Sequence, residues 1–179
     1  MSTQKEVRQQ AGTVEENPVR LDEEKAEQII EALNADLADA FVLYHQLRKH
    51  HWNVEGAEHL TLHRYFEEAY ETVEAAADEI AERVQALGGV PNASMATLSA
   101  VATVDAEDED VYDVRTSVEN DVEMFGDIIE SYREHIELAE GLGDYATAQM
   151  LREQLEDLEH YAHDFEHFLE DDTLVVQGR

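Results

Sequence analysis

The chain has 179 residues, of which 43 are Asp or Glu and 12 are Lys or Arg, so its formal net charge is −31 with histidine neutral. This charge argues against direct binding of nucleic acid, which relies on Lys and Arg to displace counterions from phosphates, and it favours binding of cations. The absence of cysteine excludes disulfides, thiolate metal sites and cysteine nucleophiles. No stretch approaches the roughly 20 apolar residues of a membrane span. The first residues are polar and unlike a signal peptide, so we expect a cytoplasmic protein.

The acid-rich composition is also poor in lysine, with only Lys5, Lys25 and Lys49. In this it resembles the composition of proteins from extreme halophiles. A compact chain with this charge repels itself unless salt or bound cations screen the charges. The length suits one domain, and we divide the chain into a flexible arm (1–21), a helical bundle (22–170) and a short tail (171–179).

Apolar residues at helical spacing predict four long helices and a short one. The predicted long helices span Asp22 to about Trp52, 58–87, 109–140, and from Asp144, as N-cap, to about 170, with the short helix at 93–104. The connection between the second and third long helices is about 20 residues long, enough for a crossover. The sequence therefore predicts an all-α four-helix bundle with a short helix in the crossover, a topology compatible with the ferritin-like fold.

The second long helix carries a line of carboxylates headed by a histidine. Steps of three or four residues place them within one arc of the helix: His63, Glu67, Glu71, Glu74, Asp78 and Glu82. In so acidic a chain this line is first of all consistent with a solvated face. The alternative is a row of oxygen ligands for cations, because like charges one turn apart repel each other and a bound cation relieves that repulsion.

The first helix contributes His51, which continues its apolar stripe and is followed by Trp52. Alone, His51 is consistent with a hydrogen-bonded histidine at a helix interface. Together with His63, Asp78 and Glu82 it makes a set of two imidazoles and several carboxylates. Such a set suits Fe(II), Mn(II) or Zn(II) rather than a soft ion such as Cu(I).

Four short motifs around these residues resemble those of the Dps family of mini-ferritins. The family pattern H-W-N-V-x-G, L-H-x-x-F-D, D-x-x-A-E-R and L-G-G-x-P is matched in order by residues 51–56, 62–67, 78–83 and 87–91. The resemblance covers about residues 22–170. Two positions depart from the pattern, since Glu67 replaces the usual Asp and His59 replaces a frequent Phe.

This resemblance implies a hollow homo-oligomer, a dodecamer, that oxidises Fe(II) with hydrogen peroxide and stores ferric mineral. It implies a ferroxidase site in which His51 and His63, with Glu67, face Asp78 and Glu82 of a two-fold partner. Trp52 resembles the family's electron-donating tryptophan, with core packing as the alternative. We expect Glu71 and Glu74 to nucleate mineral and Glu140, Asp144 and Glu153 to line an uptake pore, where an ordinary polar helix junction is the alternative.

Two further interpretations remain open. In Dps proteins, direct DNA binding usually rests on Lys- and Arg-rich termini, which this chain does not have. We therefore rank an architectural DNA-binding cage below a ferroxidase that protects DNA chemically. A structural bundle without chemistry is the third class of function. In the last helix, His163, Glu166 and His167 follow the H-x-x-E-H spacing of some metalloproteases. We consider a surface metal site there, or a solvated face also carrying His160, better founded than a protease.

Overall fold

The computed structural model describes residues 6–170, which form five helices and no strand, and this confirms the predicted all-α fold. The predicted tail and the first five residues of the predicted arm lie outside the described residues. None of the described helices combines the length and the apolar composition that crossing a membrane needs. The helices are α1 (Glu23–Asn53), α2 (His59–Ala86), α3 (Met95–Val101), α4 (Val114–Leu142) and α5 (Tyr145–Leu169).

Two helical hairpins make the bundle. Helix α1 packs along α2 and α4 packs along α5, while contacts of α1 with α4 and of α2 with α5 join the hairpins and α3 lies against α1. Aromatic rings fill the end of the core where α2 begins and α5 ends. The ring of Phe165 stacks on Phe66 at 5.2 Å and on Phe125 at 5.8 Å between centroids. The start of α2 and the last turns of α5 therefore lie at the same end of the bundle.

Side-chain caps fix the starts of the long helices α1, α4 and α5. Asp22, Asp113 and Asp144 each accept a hydrogen bond from a backbone N–H of the first turn that follows. Asp144 is therefore the N-cap that the sequence predicts. Between α4 and α5, Gly143 has a φ of 87°, the left-handed conformation that commonly ends a helix.

The predicted start of the third long helix was wrong by five residues. Asp113 caps α4 at Val114, and Val111, which falls inside the predicted range of 109–140, lies outside the helix and is exposed. Glu107, in the segment that precedes α4, contacts Lys49 and His50 of α1. These ion pairs favour an irregular segment over an extra helical turn.

Part of the N-terminal segment docks on the bundle. The backbone N–H of Glu15 and the side-chain amide of Gln9 both donate hydrogen bonds to the carbonyl of Gly88, at 2.9 and 2.8 Å. Gly88 has a φ of 90°, and a Cβ at this position would collide with the carbonyl oxygen of Glu15. A glycine is therefore required here, and residues 9–15 are tethered rather than free as the predicted flexible arm implied.

Candidate metal centre

The turn between α1 and α2 brings His51 and His63 face to face. Their rings stack with centroids 3.8 Å apart and planes 19° from parallel. The Nδ1 of His51 lies 2.7 Å from the carbonyl oxygen of His63, and the Nδ1 of His63 lies 2.9 Å from the carbonyl oxygen of His51. The sequence predicts these two residues as ligands of one site, and the structure places them side by side.

This reciprocal pair of hydrogen bonds fixes how each imidazole can act. A carbonyl oxygen only accepts, so each Nδ1 must carry the proton and donate it. In the neutral ring the lone pair then belongs to Nε2, which is the arrangement found in metal-binding histidines whose other nitrogen is hydrogen-bonded. Both rings are thus held in the tautomer that leaves Nε2 of His51 and of His63 ready to bind a metal ion.

Two more residues of α2 border this pair. Glu67 lies one turn after His63 and is exposed, and its Oε1 is 3.5 Å from the hydroxyl of Tyr70. The ring of Tyr70 meets that of His51 edge-on, with centroids 5.4 Å apart. Burial, followed by the charges of Glu67 and Glu71, raises the pKa of the Tyr70 hydroxyl, so it remains a hydrogen-bond donor at neutral pH.

Trp52 does not pack into the core of the chain. Its side chain is 63% exposed, which makes the core-packing alternative wrong within one subunit. Its ring lies against the guanidinium of Arg48, with 5.1 Å from Cζ to the ring centroid. The same guanidinium lies 5.2 and 5.5 Å from the rings of Tyr44 and Tyr70, and it donates a hydrogen bond to the hydroxyl of Tyr44.

Asp78 and Glu82 do not reach the histidines of the same chain. Asp78 follows His63 by fifteen residues along the continuous helix α2, which at about 1.5 Å per residue separates them by about 22 Å. Both carboxylates are exposed on the surface of the helix, as are Glu71 and Glu74, which lie between His63 and Asp78. In residues 6–170, no group of three or more His, Asp or Glu side chains lies close enough to hold a metal ion.

The three candidate pore residues have different environments. Glu140 and Glu153 are exposed, and they contact Arg152 and Gln149 respectively. Asp144 is buried instead and accepts hydrogen bonds from Arg83 and from Thr147. Burial alone would raise the pKa of Asp144, but these hydrogen bonds outweigh it and lower the pKa. Asp144 therefore holds α5 to α2, and its carboxylate is not free to line a pore.

Sequence reasoning missed three fully buried aspartates. Asp36 contacts His135, Asp39 accepts hydrogen bonds from the backbone N–H groups of Thr103 and Val104, and Asp121 contacts His50. The signal was present for α1, because Asp36 and Asp39 interrupt its apolar face at helical spacing. In a chain with 43 acidic residues, however, two more aspartates carried no information.

The comparisons with known proteins agree with this geometry. A family model described as a ferritin-like domain matches residues 30–175. The DNA protection during starvation protein of Halobacterium salinarum is 65% identical over 179 residues, which cover 99% of this chain and 98% of that protein. This chain belongs to the Dps family of ferritin-like proteins.

Solved structures and a more distant relative support the same placement in the Dps family. The crystal structure of an archaeal Dps homologue from H. salinarum has a TM-score of 0.93 at 65% identity and covers 98% of both chains. A Dps protein of Vibrio cholerae O1, described as a member of a superfamily of ferritin-like diiron-carboxylate proteins, has a TM-score of 0.82 at 30% identity, covering 86% of this chain and 96% of that one. A nutrient stress-induced DNA-binding protein of Nostoc is 39% identical over 168 residues, covering 94% of this chain and 91% of that protein.

Proposed function

We propose that this Dps protein is a ferroxidase and iron store that assembles as a dodecameric cage. The observation that carries the proposal is the pair His51 and His63, whose Nδ1 atoms are occupied by backbone carbonyls and whose Nε2 atoms are left as ligands. The Vibrio relative, described as a ferritin-like diiron-carboxylate protein, supports iron as the substrate.

The proposed site is completed by a second subunit. Asp78 and Glu82 lie too far along α2 to join the histidines of their own chain. In a two-fold dimer, each chain can supply histidines to one site and carboxylates to the other, since a two-fold interface is isologous and repeats every contact. Each dimer would then hold two sites, each with His51, His63 and Glu67 from one subunit and Asp78 and Glu82 from its partner.

The ligand set suits the proposed reaction. Imidazole and carboxylate bind Fe(II), and hard carboxylate oxygens stabilise the Fe(III) product, which favours oxidation. Two Fe(II) ions give up one electron each, and hydrogen peroxide takes both electrons and two protons to become two water molecules. Because both electrons are taken together, no hydroxyl radical is released. Trp52, next to His51 in the chain, is proposed as an auxiliary electron donor.

Storage and uptake belong to other carboxylates in this proposal. Glu71 and Glu74 lie on α2 between the two groups of site residues, and their exposed carboxylates can bind the first ferric ions of a mineral on the inner surface of a cage. Glu140 and Glu153 remain candidates for the lining of an uptake pore. Asp144 is removed from that set because its carboxylate is buried against Arg83.

The proposal is tested by the rate of Fe(II) oxidation after addition of peroxide under anaerobic conditions. Replacing His51 and Glu82 with Ala should slow oxidation by roughly a hundredfold or more, since even residues that only support metal ligands are worth ten- to a hundredfold. His45→Ala and Glu68→Gln are matched controls, because both residues are exposed on the same two helices and lie outside the proposed site. A His51→Ala, Glu82→Ala protein that oxidises iron at the parent rate would place the chemistry elsewhere.

DNA protection in this proposal is chemical, through joint removal of Fe(II) and peroxide. The name of the Nostoc relative refers to DNA binding, but this chain has a net charge of −31. High salt screens the repulsion from DNA, yet it also weakens binding that depends on counterion release. We therefore expect no tight complex with duplex DNA at any salt concentration in metal-free buffer.

A further inference from the structure

Two histidines on the surface of α5, which have no part in the proposed ferroxidase site, point their rings at each other. His163 and His167 are one helical turn apart and both are exposed. Their Nε2 atoms lie 3.1 Å apart, and their rings meet nearly at right angles with centroids 4.4 Å apart. Two facing ring nitrogens at this distance can share one hydrogen bond, or they can bind one ion between them.

The separation of the nitrogens suits a metal ion. With metal–nitrogen bonds of about 2.0–2.1 Å, two Nε2 atoms 3.1 Å apart subtend an angle of about 98° at the metal. This lies between the angles of octahedral and tetrahedral coordination. The rings are therefore already near the geometry of two neighbouring ligands, and little rearrangement is needed to form a chelate.

The electrostatic surroundings also favour a cation. Both residues lie in the last two turns of α5, where the helix dipole places partial negative charge. Glu166 and Glu170, each three residues after one of the histidines, are exposed and add negative charge to this end of the helix. Arg115 places a positive group nearby, where its guanidinium donates a hydrogen bond to the carbonyl of Leu169 and is thus engaged with the backbone.

We propose that His163 and His167 form a surface chelate for a borderline divalent transition-metal ion such as Cu²⁺, Ni²⁺ or Zn²⁺. Imidazole suits these ions, whereas Mg²⁺ and Ca²⁺ prefer oxygen ligands. The chain supplies two ligands and water fills the remaining positions, because no third metal-ligating side chain joins the pair among the described residues. The same fact argues against the metalloprotease interpretation, which needs a third protein ligand.

The site can be tested by equilibrium dialysis with Ni²⁺, which peroxide chemistry does not consume. The parent protein is compared with His163→Ala, His167→Ala, the double variant, and His160→Ala as the matched control. His160 is exposed on the same helix, and its Nε2 lies 3.6 Å from a carboxylate oxygen of Asp164. Excess Mg²⁺ is added to occupy sites made only of oxygen ligands. Any Ni²⁺ bound at His51 and His63 is the same in all five proteins, so it does not affect the comparison.

We expect His163→Ala and His167→Ala each to bind one Ni²⁺ per subunit fewer than the parent at low Ni²⁺ concentration. Their affinity for this ion should be roughly a hundredfold weaker, because the second ligand of a chelate binds at high effective concentration. His160→Ala should match the parent. Crystals soaked with Ni²⁺ should show an anomalous peak between the two rings in the parent and in His160→Ala, but in none of the variants of His163 or His167. Equal Ni²⁺ stoichiometry and affinity in the parent and the double variant would refute the proposed site. Loss of the ion in His160→Ala as well would also refute it, because the surface would then bind Ni²⁺ without a defined chelate.

Discussion

Sharing of the proposed ferroxidase site between subunits can be tested by mixing two variants that should each be inactive. One variant replaces His51 and His63 with Ala, and the other replaces Asp78 and Glu82 with Ala. In the structure, His51 at the end of α1 stacks on His63 near the start of α2, whereas Asp78 lies about 22 Å further along α2 by helix geometry. Each variant alone should therefore oxidise Fe(II) at no more than the rate of iron in buffer.

The expected recovery follows from two-fold symmetry. A dimer with one subunit of each kind contains one complete site, with histidines from one chain and carboxylates from the other, and one site that has lost all four residues. If the two variants assemble at random in equal amounts, half of the dimers are mixed, so about a quarter of all sites are complete. Peroxide-driven oxidation should return to about a quarter of the parent rate.

The assay needs mixed assembly and a control without it. The two variants, one carrying a short affinity tag, are unfolded, refolded together and purified through the tag, and native mass spectrometry counts the subunits of each kind. The control is the same two variants refolded separately and then combined. If the mixed oligomers form and remain as inactive as the control, each site is built within one chain or from other residues, and the shared-site proposal is refuted.

Three further predictions follow from the structure. Replacing Glu71 and Glu74 with Gln should leave the initial oxidation rate intact but reduce the iron retained in soluble protein after size-exclusion chromatography; equal retention would argue against a nucleation role. Asp144→Asn should destabilise the fold by about 3–5 kcal/mol by breaking a partly buried ion pair, measured by urea unfolding at fixed protein concentration. The folded pKa of this aspartate is lowered, so the difference between parent and variant should be complete above the ordinary Asp pKa of about 4 and vanish as the pH falls through the folded pKa. Gly143→Ala should lower the free energy of unfolding by about 1–2 kcal/mol, because its backbone is left-handed. Gly88→Ala should lower it by about 3 kcal/mol or more, because the new Cβ also displaces the docked N-terminal segment and its hydrogen bonds. Equal losses in the two variants would mean that this segment adds no stability.

The helices were predictable because most of their information is local. Apolar spacing located every helix, and the cap residue Asp144 and the glycines after α2 and α4 marked boundaries to within a few residues. The start of α4 was missed because the sequence around Val111 continues the apolar pattern. What ends that pattern in space is the ion pairing of Glu107 with α1, which connects residues more than fifty positions apart and leaves no local signal.

The candidate site was predictable in part for the same reason. The motifs identified His51 and His63, but spacing could not show that each ring donates to the backbone carbonyl of the other residue. Nor could it show that Asp144 is buried, since a capping aspartate and a pore-lining aspartate look alike in a sequence. Burial decides between the two roles, and burial depends on Arg83 of a different helix.

Two consecutive histidines at the end of α1 show how the interior supports the site. His50 is buried, and its two ring nitrogens contact Asp121 of α4 and Glu107 of the crossover at 2.7 and 2.9 Å. Burial alone would lower the pKa of His50, but these carboxylates outweigh it and raise the pKa, and the ring bridges them through both of its nitrogens. Neighbouring residues of a helix point about 100° apart, so a fixed His50 also sets the direction of His51. The acidic crossover and α4 thereby hold the last turn of α1 at the rotation that turns the next side chain toward His63. The orientation of His51 therefore follows from a buried hydrogen-bond network on an adjacent face of the same helix.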